Sequence, residues 1–295
     1  MLRVINVLIV SFTIMHSSFS QARKVYALDD NNDFDKLILF LRATSNSCLI
    51  RPSTNPCIMS IFSNSTDTSQ EPTIESQLTD RINTVHVNYK RSEEFFMNSI
   101  TQRIFNSDAG EDKQWDYFLS DQKPLQLNLD YAIGSAEADL SNLPVERLMI
   151  RTGNADVKVE YQDGMPNLVT MDTLYAKVEM GSLTINRINF ANARIVIADV
   201  VFGGLFVNYS QSPSQASEVK ASVGAGTLVI GLPNSARIPV VIKIHDSPLC
   251  HVSLPKYFHK TDKDTFVNDF YHSGEKNTVS FDLDVAVGHI HFIDN

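Results

Sequence analysis

From about residue 125 onward the chain consists of short runs in which apolar and polar residues alternate. Leu125, Leu127 and Leu129 alternate with Gln126, Asn128 and Asp130. Val279, Phe281, Leu283 and Val285 alternate with Ser280, Asp282 and Asp284. A period of two places one set of side chains on each face, so these runs predict half-buried β-strands. Each run then meets a glycine or another small residue, and the alternation resumes. Leu125 to Leu129 leads through Gly134 to Ala136, Ala138 and Leu140. Leu148 and Ile150 lead through Gly153 to Ala155, Val157 and Val159. Leu174, Ala176 and Val178 lead through Gly181 to Leu183 and Ile185. Ile195 and Ile197 lead through Gly203 and Gly204 to Leu205 and Val207. Val219, Ala221 and Val223 lead through Gly224 and Gly226 to Leu228 and Ile230. Val240, Ile242 and Ile244 lead through Ser247 and Pro248 to Cys250, Val252 and Leu254. The last run leads through Gly288 to Ile290 and Phe292.

The parity of the inward residues changes across most of these steps, from odd numbers before Gly134 to even numbers after it. A residue is therefore absorbed at each one, as in a bulge or sharp bend, where glycine is favoured. From Gly181 onward the steps recur roughly every 22 residues, a spacing that signals a repeat architecture. The pattern predicts an all-β chain folded as a β-solenoid: strand, glycine corner, strand, each coil laid on the one before it. An antiparallel β-sandwich is the competing arrangement.

Residues 23–120 are less regular. Ile58 to Phe62 and Val85 to Tyr89 read as strands and Asn64 to Glu75 as a polar loop. Arg91 to Phe105 fits helix or strand equally. The expected organisation is an N-terminal β region over 23–120 capping the solenoid, whose repeated coils occupy 121–295. Residues 1–22 carry one basic residue, an apolar run from Val4 to Met15 and then small residues, the composition of a secretory signal peptide cleaved after Ser20 or Ala22. The apolar run of about 12 residues is short of the roughly 20 that a spanning helix needs. The mature chain is expected outside the cytoplasm without a transmembrane segment.

Composition narrows the function by exclusion. With 25 Lys and Arg against 34 Asp and Glu, the net charge is −9, which argues against a nucleic-acid partner. Neither a Gly-x-Ser-x-Gly elbow nor a phosphate-cradling P-loop occurs. Export permits a disulfide between Cys48 and Cys57, and two free thiols fit that spacing equally well. Cys250 lies in an alternating run and reads as a small core residue. His289 and His291 share one strand face and are the place where a metal site would start. With no Cys or acidic partner at ligand spacing, an exposed polar face is the simpler account. Asp29 to Asp35 mimics a calcium loop but has Phe34 and Phe40 where Gly and Glu are required. Glu137 with Asp139, and Asp282 with Asp284, are same-face carboxylate pairs, a spacing open to acid–base chemistry and equally to solubility. No catalytic residue, cofactor or metal is assigned.

The stretch Gln114 to Tyr161 resembles the toast-rack family of bacterial extracytoplasmic domains. The matching positions are Trp115, Pro124-Leu125-Gln126-Leu127, Gly134, Leu143-Pro144-Val145, Gly153, Gly181, Gly224-Ala225-Gly226 and Gly288, with Val267-Asn268-Asp269 before the last strand pair. The resemblance spans roughly 35–294. Gly153-Asn154-Ala155, Gly181-Ser182-Leu183 and Ser247-Pro248 depart from it. It implies adhesin-type domains, or the extracytoplasmic parts of envelope-stress regulators of the LiaF type, with no agreed enzymatic activity and no cofactor. Together these readings predict a non-enzymatic exported scaffold that binds a protein or glycan of the cell envelope. The alternative is a carbohydrate-active β-helix enzyme using surface carboxylates, and a groove combining carboxylates with aromatic rings would favour it.

Overall fold

A computed structural model describes residues 23–44, 47–64, 71–89, 114–233, 237–246, 249–272, 274 and 276–294. The expected signal peptide and the ambiguous segment 91–105 lie outside the described residues. Among the described residues the strands form one continuous hydrogen-bonded sheet of 21 members, and the arrangement is a β-solenoid.

Its middle is the most regular part. β8 (Leu125–Asp139) and β9 (Val145–Glu160) are long strands that run unbroken through their corners. Beyond them each rung splits at the corner into two strands: β10 (Met171–Val178) with β11 (Ser182–Asn186), β12 (Ala193–Val200) with β13 (Gly204–Asn208), and β14 (Ser217–Val223) with β15 (Thr227–Leu232). Successive rungs pair in parallel and in register. Leu148 lies beside Leu174, Leu174 beside Val196 and Val196 beside Val219. On the second arm, Val157, Leu183, Leu205 and Leu228 do the same. Like apolar residues therefore stack on like, and these inward ladders form the core. The segments returning from one rung to the next close the third side with buried Leu140, Leu143, Tyr161, Phe190 and Tyr209, including a short 3-10 turn at Ile188–Ala191.

The predicted alternation holds except in β12. There the inward residues are Val196, Ala198 and Val200, and Ile195 and Ile197 face outward. The run Ile195-Val196-Ile197-Ala198 is apolar on both faces, so alternation alone does not choose. The pairing of Ala176 with Ala198 and of Ala198 with Ala221 does.

At both ends the chain departs from sequential stacking. β16 (Val240–Asp246) and β17 (His251–Ser253) lie one rung further out than β20 (Val279–Val285) and β21 (His289–Asp294). The last two strands thus insert in parallel between β14/β15 and β16/β17. The outer edge of β16 is covered by the antiparallel hairpin β18 (Phe258–Asp262) and β19 (Thr265–Asn268). The N-terminal end is built the same way. β2 (Lys36–Ala43) and β3 (Ser47–Ser53) pair in parallel with β8. β6 (Ile82–Asn88) and β7 (Gln114–Ser120) form the next rung outward. Antiparallel β5 (Thr73–Thr79) lies on β6, while β4 (Cys57–Ser63) and then β1 (Arg23–Asp29) lie on the β7 side. The parallel stack therefore continues across residue 120, and each end finishes in antiparallel strands that occupy the open edge.

The corner glycines sit where space is short. A Cβ on Gly181 would stand 2.1 Å from the Ala155 carbonyl oxygen, and one on Gly203 2.2 Å from that of Gly181. On Gly226 it would stand 2.5 Å from the Gly203 oxygen, and on Gly288 2.5 Å from that of Gly226. These glycines form one column in which each backbone leaves no room for a side chain on the next. Gly153 meets the Ala132 oxygen at 2.7 Å and Gly224 meets that of Val201 at 3.0 Å, whereas Gly204 faces open space. Gly134 instead takes a left-handed φ of 109° inside β8. A positive φ is thus required at Gly134, and close stacking accounts for the column from Gly181 to Gly288.

Candidate functional site

The outer face of the first arm carries the most varied chemistry. Parallel register aligns Tyr175, Ile197, Lys220 and Asp282 in one row across β10, β12, β14 and β20. The adjacent row carries Lys177, Asp199, Ser222 and Asp284, and ends on His245 of β16. Tyr175, Ile197, Lys220, Asp282, Asp284 and His245 line a shallow trough of about 500 Å³. His245 Nε2 lies 3.0 Å from Asp282 Oδ1. The trough combines hydrogen-bonding carboxylates, an ammonium and one aromatic ring on a rigid sheet. Alternation predicts the outward direction of Asp282 and Asp284. The partners Tyr175, Lys220 and His245 are far away in sequence and reach them only through rung stacking.

On the second arm Glu137 accepts from Lys158 Nζ at 3.1 Å, and the same ammonium reaches Glu160 at 2.6 Å, which raises the Lys158 pKa. Asp139 accepts from the Ser141 hydroxyl and backbone and from Gln162 Nε2 at 2.6 Å. The Glu137/Asp139 pair is therefore engaged in holding successive rungs together.

His289 and His291 point outward, opposite inward Ile290 and Phe292, and His251 joins them from β17. The three ring centroids lie 5.9–6.0 Å apart, with the His289 and His291 rings side by side at 11°. Parallel rings do not converge their nitrogens on one point. Among the described residues no group of three or more His, Cys, Asp or Glu stands where it would hold a metal ion. A second cleft, of about 460 Å³, lies beside this patch and is lined by Cys250, Val252, Leu254, Lys260, Asp264 and Phe266 among others.

The calcium-like segment holds an internal cation instead. Lys123 Nζ lies 2.7 Å from Asp30 Oδ1, donates to the Phe34 carbonyl at 2.7 Å and to that of Asn31, and sits 4.0 Å above the Phe34 ring. Cys48 and Cys57 are free thiols. Cys48 is buried in β3, where desolvation pushes its pKa up to about 12. The Cys57 Sγ donates to Asp29 Oδ1 at 3.2 Å, which raises its pKa as well. The two face different surroundings, one the core and the other β1, so the disulfide allowed by the spacing is not formed. Among the described residues no helix is long and apolar enough to cross a membrane.

Residues 30–172 match the model of the N-terminal domain of toast_rack, DUF2154. No curated protein matches the chain. Solved structures match along most of the chain at low identity and low TM-score. A "putative cell adhesion protein" from Clostridium sporogenes is 14% identical, with 93% of this chain and 100% of that one covered, at a TM-score of 0.41. A "putative adhesin" from Bacteroides fragilis is 12% identical, with coverages of 92% and 96% and a TM-score of 0.39. A "putative lipid binding protein" from Parabacteroides distasonis is 9% identical, with the same coverages and a TM-score of 0.36. The segment 30–172, which contains the Trp115 strand and the Leu143-Pro144-Val145 step, is thus a toast-rack N-terminal domain.

Proposed function

We propose that the chain is an exported, non-enzymatic binding scaffold, adhesin-like in the general sense, that meets a protein or glycan outside the cytoplasm along its outer faces. The trough around Tyr175 and Asp282 carries this reading. Its residues come from five rungs of a stacked sheet, so they are held without a ligand and lose little freedom on binding. Carboxylates and an ammonium suit hydroxyl-rich ligands, and the Tyr175 ring offers a stacking surface. The signal-type N-terminus supports export, and mass spectrometry of the secreted protein is expected to find Gln21 or Arg23 at its start.

The trough also meets the condition set for a carbohydrate-active enzyme, since it joins carboxylates to an aromatic ring. Binding is favoured because the site is open and Asp282 is already hydrogen-bonded to His245. Titration against soluble fragments of envelope glycans and envelope proteins tests both readings. Tyr175→Ala and Asp282→Asn are expected to weaken a bound ligand about tenfold or more at unchanged melting temperature. New reducing ends released from a glycan would favour the enzyme. Unchanged affinity in both variants would remove the trough from the account.

A further inference from the structure

The two ends of the solenoid are covered unequally. At the N-terminal end both strands of the last rung carry an antiparallel strand: β5 lies on β6, and β4 lies on β7. At the C-terminal end β19 lies antiparallel on β16, in the place that β5 takes on β6. Among the described residues β17 pairs only with β21, and no counterpart of β4 lies on it. The difference shows in the core. Under β4 the inward Trp115, Tyr117 and Leu119 of β7 are at most 1% exposed. Along the second arm Leu183, Leu205, Leu228 and Ile290 are as deeply buried, yet the next residue of that ladder, Val252, is only half-buried. Cys250 and Leu254, on either side of it, are half-buried too.

The backbone is open at the same place. His251 N donates to Gly288 O at 3.2 Å, so His251 turns its polar groups toward β21. Alternate residues of a paired strand bond to opposite edges, and the N–H and C=O of Val252 therefore face away from β21. The cleft of about 460 Å³ beside β17 is lined by Val252 and Leu254 of the second arm, Ile244 of the first and Phe266 of the covering hairpin. Two ammonium groups, Lys260 and Lys263, line it against one carboxylate, Asp264. Among the described residues neither lysine is in an ion pair, and Lys260 Nζ lies 5.6 Å from the centre of the Phe266 ring. An extended segment satisfies both features at once, with backbone bonds to the edge and alternate side chains in the cleft. A lipid tail would fill the cleft and leave the Val252 backbone groups to water. The ammonium groups select acidic residues in the partner. The edge strands of a second copy suit this poorly: β1 opens with Arg23 and Lys24, β18 carries His259 and Lys260, and β5 holds Ile74 against its own core. We infer that the open edge of β17 is a docking site for an extended segment of a partner protein, which lies antiparallel on β17 as β4 lies on β7. The segment is about five to seven residues long, apolar at alternate positions and acidic between them.

Selection of random peptides, about ten residues long and displayed on phage, against the full exported chain tests this, with Val252→Lys as the counter-selecting variant. The enriched peptides are expected to alternate apolar residues over about five positions or more and to carry Asp or Glu between them. Made synthetically, the best of them is expected to bind at least about tenfold more weakly to Val252→Lys, and to lose as much when its alternate amides are N-methylated. The double variant Lys260→Glu, Lys263→Glu is expected to weaken it at least about fivefold, and exchange of its acidic residues for Lys to recover binding to that variant. Hydrogen exchange on the unaltered chain needs no variant to fold. The Val252 amide is expected to exchange freely in the chain alone and to slow at least about tenfold with the peptide bound, while the His251 amide is slow in both. A Val252 amide already slow in the chain alone would overturn the inference. So would a selection that does not separate the parent from Val252→Lys, or a peptide indifferent to N-methylation. Dodecanoate bound in place of any peptide, and lost with Val252→Lys, would give the cleft to an amphiphile. A mass that rises with concentration and falls back to one protomer with Val252→Lys would give the edge to a second copy. None of these variants touches Tyr175 or Asp282, so the reading of the trough and this one fail separately.

Discussion

The side chain of Asn167 holds the backbone of Val145 at both of its polar groups. The Val145 N–H donates to Asn167 Oδ1 at 2.8 Å, and Asn167 Nδ2 donates back to the Val145 carbonyl at 2.8 Å and to that of Val169 at 2.7 Å. Val145 opens β9, so this buried amide fixes where a rung starts. Asn268 does the same for β16, accepting from Val240 N at 3.0 Å and donating to Ile238 O at 2.7 Å. The Val-Asn-Asp step before the last strand pair thus has a structural explanation in its asparagine.

Asn167→Ala leaves a buried N–H and two carbonyls without partners. The expected cost is about 2–4 kcal/mol in chemical denaturation. Asn167→Asp keeps the acceptor for Val145 N and loses the donor, yet also buries a carboxyl group, so it is expected to be destabilised as well. An Ala variant within about 0.5 kcal/mol of the parent would mean that the amide is dispensable.

The N-terminal core predicts the response to alkali. Burial raises the pKa of Cys48 to about 12 and holds those of Tyr89, Tyr117 and Tyr131 well above 10, and the Tyr89 and Tyr117 hydroxyls share a 2.5 Å hydrogen bond. Folded values above unfolded ones mean that neutral forms stabilise the native state. That contribution is complete below the ordinary values of 9.0 for cysteine and 10.0 for tyrosine, and is lost as pH rises through and beyond them. Tyrosinate absorbance of these buried rings should therefore rise together with loss of β-sheet dichroism, in one cooperative step above pH 10. Cys48 should resist alkylation at pH 8 until the protein is denatured. Reversible ionisation of all the tyrosines near pH 10 with the sheet intact would contradict this.

Much of this fold is legible in the sequence because its signals are local. Alternation marks the strands, the parity shift marks the corners, and both need only a window of about ten residues. The order of rungs at the ends is different. Nothing in Val279 to Val285 announces that it inserts between β14 and β16, because parallel partners are chosen by stacking and end-capping over 60 residues of chain. The faces of β12 were hidden by apolar residues on both sides. The candidate site inherits the same limit: Asp282 is visibly outward, but its neighbours Lys220 and His245 depend on that rung order. The glycines are visible as corners, while the column linking Gly181, Gly203, Gly226 and Gly288 exists only once the rungs are stacked.

That column is the central claim, and adjacent residues Gly203 and Gly204 test it most directly. A Cβ on Gly203 would stand 2.2 Å from the Gly181 carbonyl oxygen and 2.6 Å from Val178 Cγ1, whereas one on Gly204 meets nothing within 4 Å. Neither φ is in the left-handed region, so space alone separates them. The deciding measurement is the denaturation free energy of Gly203→Ala and Gly204→Ala against the parent. The stacked solenoid predicts a loss of about 2 kcal/mol or more for Gly203→Ala and a change between zero and a gain of about 1 kcal/mol for Gly204→Ala. Equal effects, or a larger loss at Gly204, would contradict it.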